Sequence, residues 1–182
     1  MNKKIIIAVL LSVFAAPVFA GNGVGIYAGV KLGTSNVGGT AFGYGVYGGY
    51  IIDSSITSSF TSKSEFTKKL NFAGEVEYTS LGNTSLGGVT YSASAIGAVL
   101  ALTYPINQQF SAIAKAGLAR TSHEVTCSGC GVYWPNINTS TIGLRYGAAG
   151  QFNLTQQIGL RAGYDAYPDG FSQLSAGAVF KF

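Results

Sequence analysis

The feature that most restricts this chain is a period-two alternation in which the charged residues fall on the small-residue side. Ile142, Leu144, Tyr146, Ala148 and Phe152 share one parity, while Thr141, Gly143, Arg145, Gly147, Ala149 and Gln151 occupy the other. Ile158, Leu160, Ala162 and Tyr164 separate in the same way from Gly159, Arg161, Gly163 and Asp165. Successive strand side chains point to opposite faces, so each segment reads as a strand with one greasy face and one small or polar face. A soluble barrel would put charge outside and aliphatic residues inside. Only 10% of this chain is charged, against roughly 25% in soluble domains, so it lacks a water-facing exterior. The opposite arrangement remains, with the apolar face outward and the charges inward.

Eight such segments can be placed, over residues 23–33, 41–52, 70–81, 89–104, 110–121, 139–153, 157–167 and 171–182. Each is close to the roughly 9–11 residues that a tilted strand needs to cross a bilayer. The predicted fold is all-β, an eight-stranded antiparallel up-and-down transmembrane β-barrel occupying residues 21–182 as one domain. Connections near 105–107 and 153–155 are short and that at 122–138 is long, which predicts short turns at one end and longer loops at the other. The segment 54–69, carrying Lys63, Lys68 and Lys69, is too long for a turn on the short side. It is either a loose linker or partly a third strand that begins near Phe66.

Charge parity predicts the lumenal set. Glu75 agrees with Glu77, and Arg161 with Asp165, all opposite the greasy face. Lys31, Lys115, Arg145 and Lys181 take the same side once each strand is phased. The expected network is therefore Glu75, Glu77, Lys115, Arg145, Arg161 and Asp165, with Lys31 and Lys181 nearby. Glycines on the inward parity leave room for these long side chains. Arg120 has the parity opposite to Lys115, and is expected at the outer rim, where a long side chain reaches head groups. Tyr44, Tyr50, Tyr78, Tyr104, Phe110, Phe152, Tyr164 and Phe180 read as lipid-facing or girdle aromatics.

Residues 1–20 read as a signal peptide: Lys3 and Lys4, an apolar run from Ile5 to Ala16, then Pro17, Val18, Phe19 and Ala20. That run is too short for a transmembrane helix, which needs about 20 residues. Without Lys3 and Lys4 the formal charge falls from +4 to +2, which is no nucleic-acid footprint. The expected location is the cell outer membrane, after export.

Four stretches then resemble the small eight-stranded outer-membrane barrels of Gram-negative bacteria, the OmpA-like transmembrane domain and opacity-type porin-like proteins. They are Glu75 to Gly82, Lys115 to Arg120, Gly159 to Tyr164, and the ending Ser175 to Phe182. Phe180 and Phe182 resemble the terminal signal that the outer-membrane barrel assembly machinery reads. The resemblance implies a non-enzymatic structural or small porin-like protein with interacting surface loops, whose partners are outer-membrane lipid, lipopolysaccharide and that machinery. No surface ligand is named by it, and no cofactor. In the OmpA-like domain a Glu, Lys and Arg network closes the interior, and Glu75 and Arg161 resemble two of its members. The lysine expected on strand four falls at Ala101, and the glutamate expected on strand six at Gln151.

Two further motifs carry chemistry. Cys127 and Cys130 lie in the predicted third loop of an exported protein, where a disulfide is the expected state. A redox pair would need a βαβ context, and zinc would need two more ligands. Ser122, His123 and Glu124 invite the alternative reading of a lipid-A-modifying barrel enzyme. Adjacent strand residues face opposite ways, however, so Ser122 and Glu124 cannot both flank His123 on one surface. No catalytic or metal-binding residue is assigned.

Overall fold

The computed structural model describes residues 25–52, 69–127 and 137–182. Its strands are β1 (Ile26–Asn36), β2 (Thr40–Ile52), β3 (Asn71–Leu86), β4 (Val89–Pro105), β5 (Phe110–Cys127), β6 (Ile137–Asn153), β7 (Ile158–Ala166) and β8 (Ser172–Lys181). Each pairs antiparallel with its sequence neighbours, and β8 returns to β1, closing the barrel. Closure leaves no strand edge unpaired in lipid, which a spanning sheet requires.

The faces are inverted relative to a soluble protein. Leu118, Ile142 and Leu174 are 61%, 71% and 63% exposed, whereas Glu75, Glu77 and Arg145 are each 1% exposed. Such a surface is stable only against hydrocarbon. On β5 the outward apolar positions run from Phe110 to Leu118, just below Arg120. Eight rises of about 3.3 Å each, tilted by about 40°, give a band of roughly 20 Å, close to the ~25 Å expected for an outer-membrane barrel.

The interior is layered. Tyr27, Tyr47, Ala73, Ala101, Ile113 and Val179 form an apolar cluster toward the end where β1 begins and β8 finishes. Val37, Ala41, Leu81, Ala93, Ala95, Ala119 and Tyr167, with Phe171 against them, form another toward the opposite end. The charged residues lie between these two layers.

Loop lengths depart from the expectation. At the end opposite the start of β1, β1–β2 is joined by Val37–Gly39, β3–β4 by Gly87 and Gly88 alone, and β7–β8 by Tyr167–Phe171. The described residues of the predicted loop 122–138 are strand, with Ser122 paired to Ser140 and Glu124 to Asn138. Ser122, His123, Glu124, Asn138 and Thr139 are polar on both faces, and two-sided polarity reads as loop in sequence. Among the described residues the ladder itself carries β3–β6 outward. A bulge between Ser80 and Gly82 bends β3 at this level. Gly82 takes φ +89°, and a Cβ there would meet the Phe42 carbonyl oxygen at 2.2 Å. The 54–69 segment and the proposed strand start at Phe66 lie outside the described residues, except for Lys69.

Candidate functional site

Alternation on five strands brings the predicted charges to one level. β3 supplies Glu75 and Glu77, β1 Lys31, β5 Lys115, β6 Arg145, and β7 Arg161 and Asp165. Glu77 is a hub, with Lys31 Nζ 2.7 Å from its Oε1 and Arg145 Nη2 2.7 Å from its Oε2. The Thr79 hydroxyl and the Tyr167 phenol also donate to Oε1, at 2.6 and 3.1 Å. Asp165 bridges the same two cations, Lys31 at 2.9 Å and Arg145 at 3.1 Å.

A second cluster surrounds Glu75. Arg161 Nη1 lies 2.5 Å from Oε1, Lys115 Nζ 3.3 Å from Oε2, and the Tyr27 phenol donates to Oε1 at 2.7 Å. Arg161 also donates to Gln151 Oε1, so the amide standing where a glutamate was expected still serves the arginine. Lys181, half-buried, donates to Asn153 Oδ1 at 2.9 Å, which also accepts from Gln151 Nε2 at 2.8 Å, so it joins the Glu75 cluster through two amides.

Unpaired charge inside a narrow barrel is costly, so each ion is satisfied by at least one opposite partner. Four cations, Lys31, Lys115, Arg145 and Arg161, meet three carboxylates, and tyrosine rings take part of the excess. Arg161 lies 4.9 Å from the Tyr47 ring centroid and Arg145 4.8 Å from that of Tyr167, within cation–π range.

Tyr27, Tyr47 and Tyr167 are the members that charge reasoning missed, although each falls on the inward parity of its segment. Two of them are placed by glycine. Tyr27 pairs with Gly49 and Gly29 with Tyr47 across β1 and β2. A Cβ at Gly29 would meet the Tyr47 ring at 2.2 Å, and one at Gly49 the Tyr27 ring at 2.3 Å. Each ring therefore lies over the bare glycine of the facing strand, and is held across the lumen.

The remaining predicted residues are distributed as follows. Cys127, the last residue of β5, is disulfide-bonded, and Cys130 lies outside the described residues. Phe180 faces outward on β8, and the Phe182 amide donates to the Ile26 carbonyl at 2.9 Å, fastening the last residue to β1. His123 points inward. Its Nδ1 is 4.0 Å from Asp169 Oδ2, and its ring meets Phe171 edge-on at 5.9 Å. Ser122 and Glu124 face outward, so no Ser/His/Glu set assembles. Among the described residues no three metal-ligating side chains converge.

Comparisons agree with this architecture. The Ail attachment invasion locus protein of Yersinia pestis is 18% identical, with a TM-score of 0.57 over 87% of this chain and 97% of Ail. Neisserial surface protein A is 21% identical, with a TM-score of 0.60 over 88% of this chain and 98% of that one. The N-terminal β-barrel domain of Pseudomonas aeruginosa OprF is 15% identical, with a TM-score of 0.52 over 88% and 100%. No curated protein sequence matches. A family model described as the outer membrane protein beta-barrel domain matches residues 6–182, and with a closed eight-stranded barrel and a lipid-facing exterior the chain belongs to that family.

Proposed function

We propose that this protein is a non-enzymatic structural barrel of the outer membrane whose lumen is closed, and that its contacts with the surroundings are made by its outward end. The observation that carries this reading is the ion-paired waist between two apolar layers. The cavity left beside Lys31, Lys115, Arg161 and Asp165 is only about 10 Å³, room for about one water. Eight strands leave an interior that side chains fill, and here they do so with mutually neutralising groups.

The test is single-channel conductance of the refolded mature protein in planar bilayers. The wild type is expected to stay at the closed level for most of the recording. Arg161→Ala is expected to raise the open fraction, because it removes a guanidinium that lies across the lumen against Glu75. A wide, stable wild-type pore that Arg161→Ala leaves unchanged would replace this reading with an open porin.

Three further elements belong to the proposal. Residues 1–20 are removed on export, the terminal Phe180 and Phe182 present the strand to the assembly machinery, and Cys127 pairs with Cys130 to brace the third loop. For surface interaction, sulfated saccharides are the first probes to try, since Ail has been crystallised with the heparin analogue sucrose octasulfate.

A further inference from the structure

We propose that the lumen holds one small monovalent anion, of halide size, between Lys115, Tyr47 and Arg161. The inference rests on the charges of the waist and not on its closure. Lys31, Lys115, Arg145 and Arg161 bring four positive charges into this layer, while Glu75, Glu77 and Asp165 bring three negative ones, and all seven side chains are at most 10% exposed. One positive charge is left over. Apolar layers lie on both sides of it, and an uncompensated charge in such surroundings is costly. Tyrosine faces attract a cation but carry no net charge.

The surplus is concentrated at Lys115. Lys31 and Arg145 hold Glu77 and Asp165 at 2.7 to 3.1 Å, and Arg161 holds Glu75. Lys115 Nζ stands farther off, 3.3 Å from Glu75 Oε2 and 4.0 Å from both Glu77 Oε2 and Asp165 Oδ1. Neither glutamate oxygen accepts a hydrogen bond from it. Among the described residues this ammonium therefore has ion-pair partners but spends none of its donors.

The cavity of about 10 Å³ lies against the same lysine. It has room for one water-sized particle, and the flexible lysine stem can yield to a slightly larger halide. Tyr47 also lines it, with Lys115 Nζ 5.5 Å and the Arg161 guanidinium 4.9 Å from its ring centroid. That tyrosine is 6% exposed, and its hydroxyl has no hydrogen-bond partner. A buried hydroxyl is costly to leave unpaired, so it calls for a bound acceptor. Ser175 adds a second hydroxyl to the lining, and Asp165, the one carboxylate there, has its oxygens engaged by Lys31 and Arg145. The small residues Ala149 and Gly163, paired across β6 and β7, leave the space unfilled. A water would occupy this space but leave the surplus charge. A halide accepts from the ammonium, the guanidinium and the hydroxyls, and cancels it.

The experiment follows thermal unfolding of the refolded mature protein in a zwitterionic detergent, at fixed ionic strength, as sodium gluconate is replaced by sodium chloride or bromide. Crystals grown in bromide are examined by anomalous scattering at the bromine edge. The midpoint is expected to rise with halide and saturate, as linkage to a single site requires. One bromine peak is expected within hydrogen-bond reach of Lys115 Nζ and the Tyr47 hydroxyl. Lys115→Met removes the surplus charge and should abolish both the saturating rise and the peak. Tyr47→Phe keeps the ring and every charge, and should weaken the apparent halide affinity about tenfold; it decides the matter alone if Lys115→Met does not refold. A midpoint indifferent to halide, water in place of the bromine peak, or an unchanged halide response in Tyr47→Phe would each overturn the proposal. A wide, stable pore in planar bilayers would overturn the closed lumen and not this site, whereas a shut barrel indifferent to halide would overturn the site alone.

Discussion

Glu77→Gln tests the waist at its hub while keeping shape. The carboxylate serves Lys31 and Arg145 at 2.7 Å each and accepts from Thr79 and Tyr167. The amide keeps one acceptor oxygen, and sets an NH2 against either a lysine or an arginine. Removing one partner of a buried ion pair costs about 3–5 kcal/mol. Lys31 and Arg145 both retain Asp165, at 2.9 and 3.1 Å, so the low end, about 3 kcal/mol, applies. With a urea slope of about 1–3 kcal/mol/M, the unfolding midpoint should fall by roughly 1–3 M. The assay is urea unfolding of the protein refolded in lipid vesicles, read by the loss of compact mobility in unheated gels. The cycle with Arg145→Met adds a second check: the double variant should cost less than the two single ones together, by about 1 kcal/mol or more. A Glu77→Gln loss under about 1 kcal/mol, with strict additivity in the cycle, would show that lumenal water screens these charges and that the network does not hold the barrel.

The other expectations concern separate parts of the molecule. Deleting Phe182 should lower the amount of heat-modifiable protein in outer-membrane fractions, because its amide fastens the last residue to Ile26; undiminished yield would count against this. Thiol labelling of unreduced protein on intact cells should fail at Cys127 and Cys130, and the reduced form should still fold, since a Cys127–Cys130 pair closes only a very short ring at the last residue of β5. Ready labelling of both cysteines would refute the pairing. Gly29→Leu should push the Tyr47 ring from its place, cost about 1–3 kcal/mol by overpacking, and be partly rescued by Tyr47→Ala; a missing rescue would argue against the ring-over-glycine contact.

The spanning part of the barrel is legible in sequence because lipid and lumen impose opposite demands on alternate residues. One phase choice per strand orders Arg145, Arg161, Glu75 and Glu77 correctly, and the low charge total selects charge inside. That reasoning stops where one of its two environments disappears. Above the apolar band β5 continues through Ser122, Glu124 and Thr126 with water on the outside, and its alternation fades although its hydrogen bonds do not. Tyr27, Tyr47 and Tyr167 escaped because tyrosine fits both a lipid girdle and a lumenal network, and only parity separates the two. The row Ser80, Ser94, Ser122 and Ser140 requires the register between strands, and the bulge at Gly82 resets that register. The contact between His123 and Asp169 joins a strand to a distant loop, which no local pattern reports.

The closed waist and the built outer face bear on each other. On the closed-lumen reading proposed above, Glu77, Arg145 and Tyr167 take up the space between the strands, and contacts with other molecules are made at the exterior. There the molecule is not symmetric. β1, β7 and β8 are 11, 9 and 10 residues long, while β3–β6 run to 16–18, so the wall rises on one side only. Extending four strands beyond the apolar band exposes polar ladder that contributes little apolar burial, and surface ladder alone is a weak source of stability. The row Ser80, Ser94, Ser122 and Ser140, with Asn83 and Asn138 beyond it, stands on that raised side. A wall that is tall only where it carries its most regular polar surface fits the proposed role of the outward end in contacts with the surroundings, with the ion-paired barrel below holding it over the lipid.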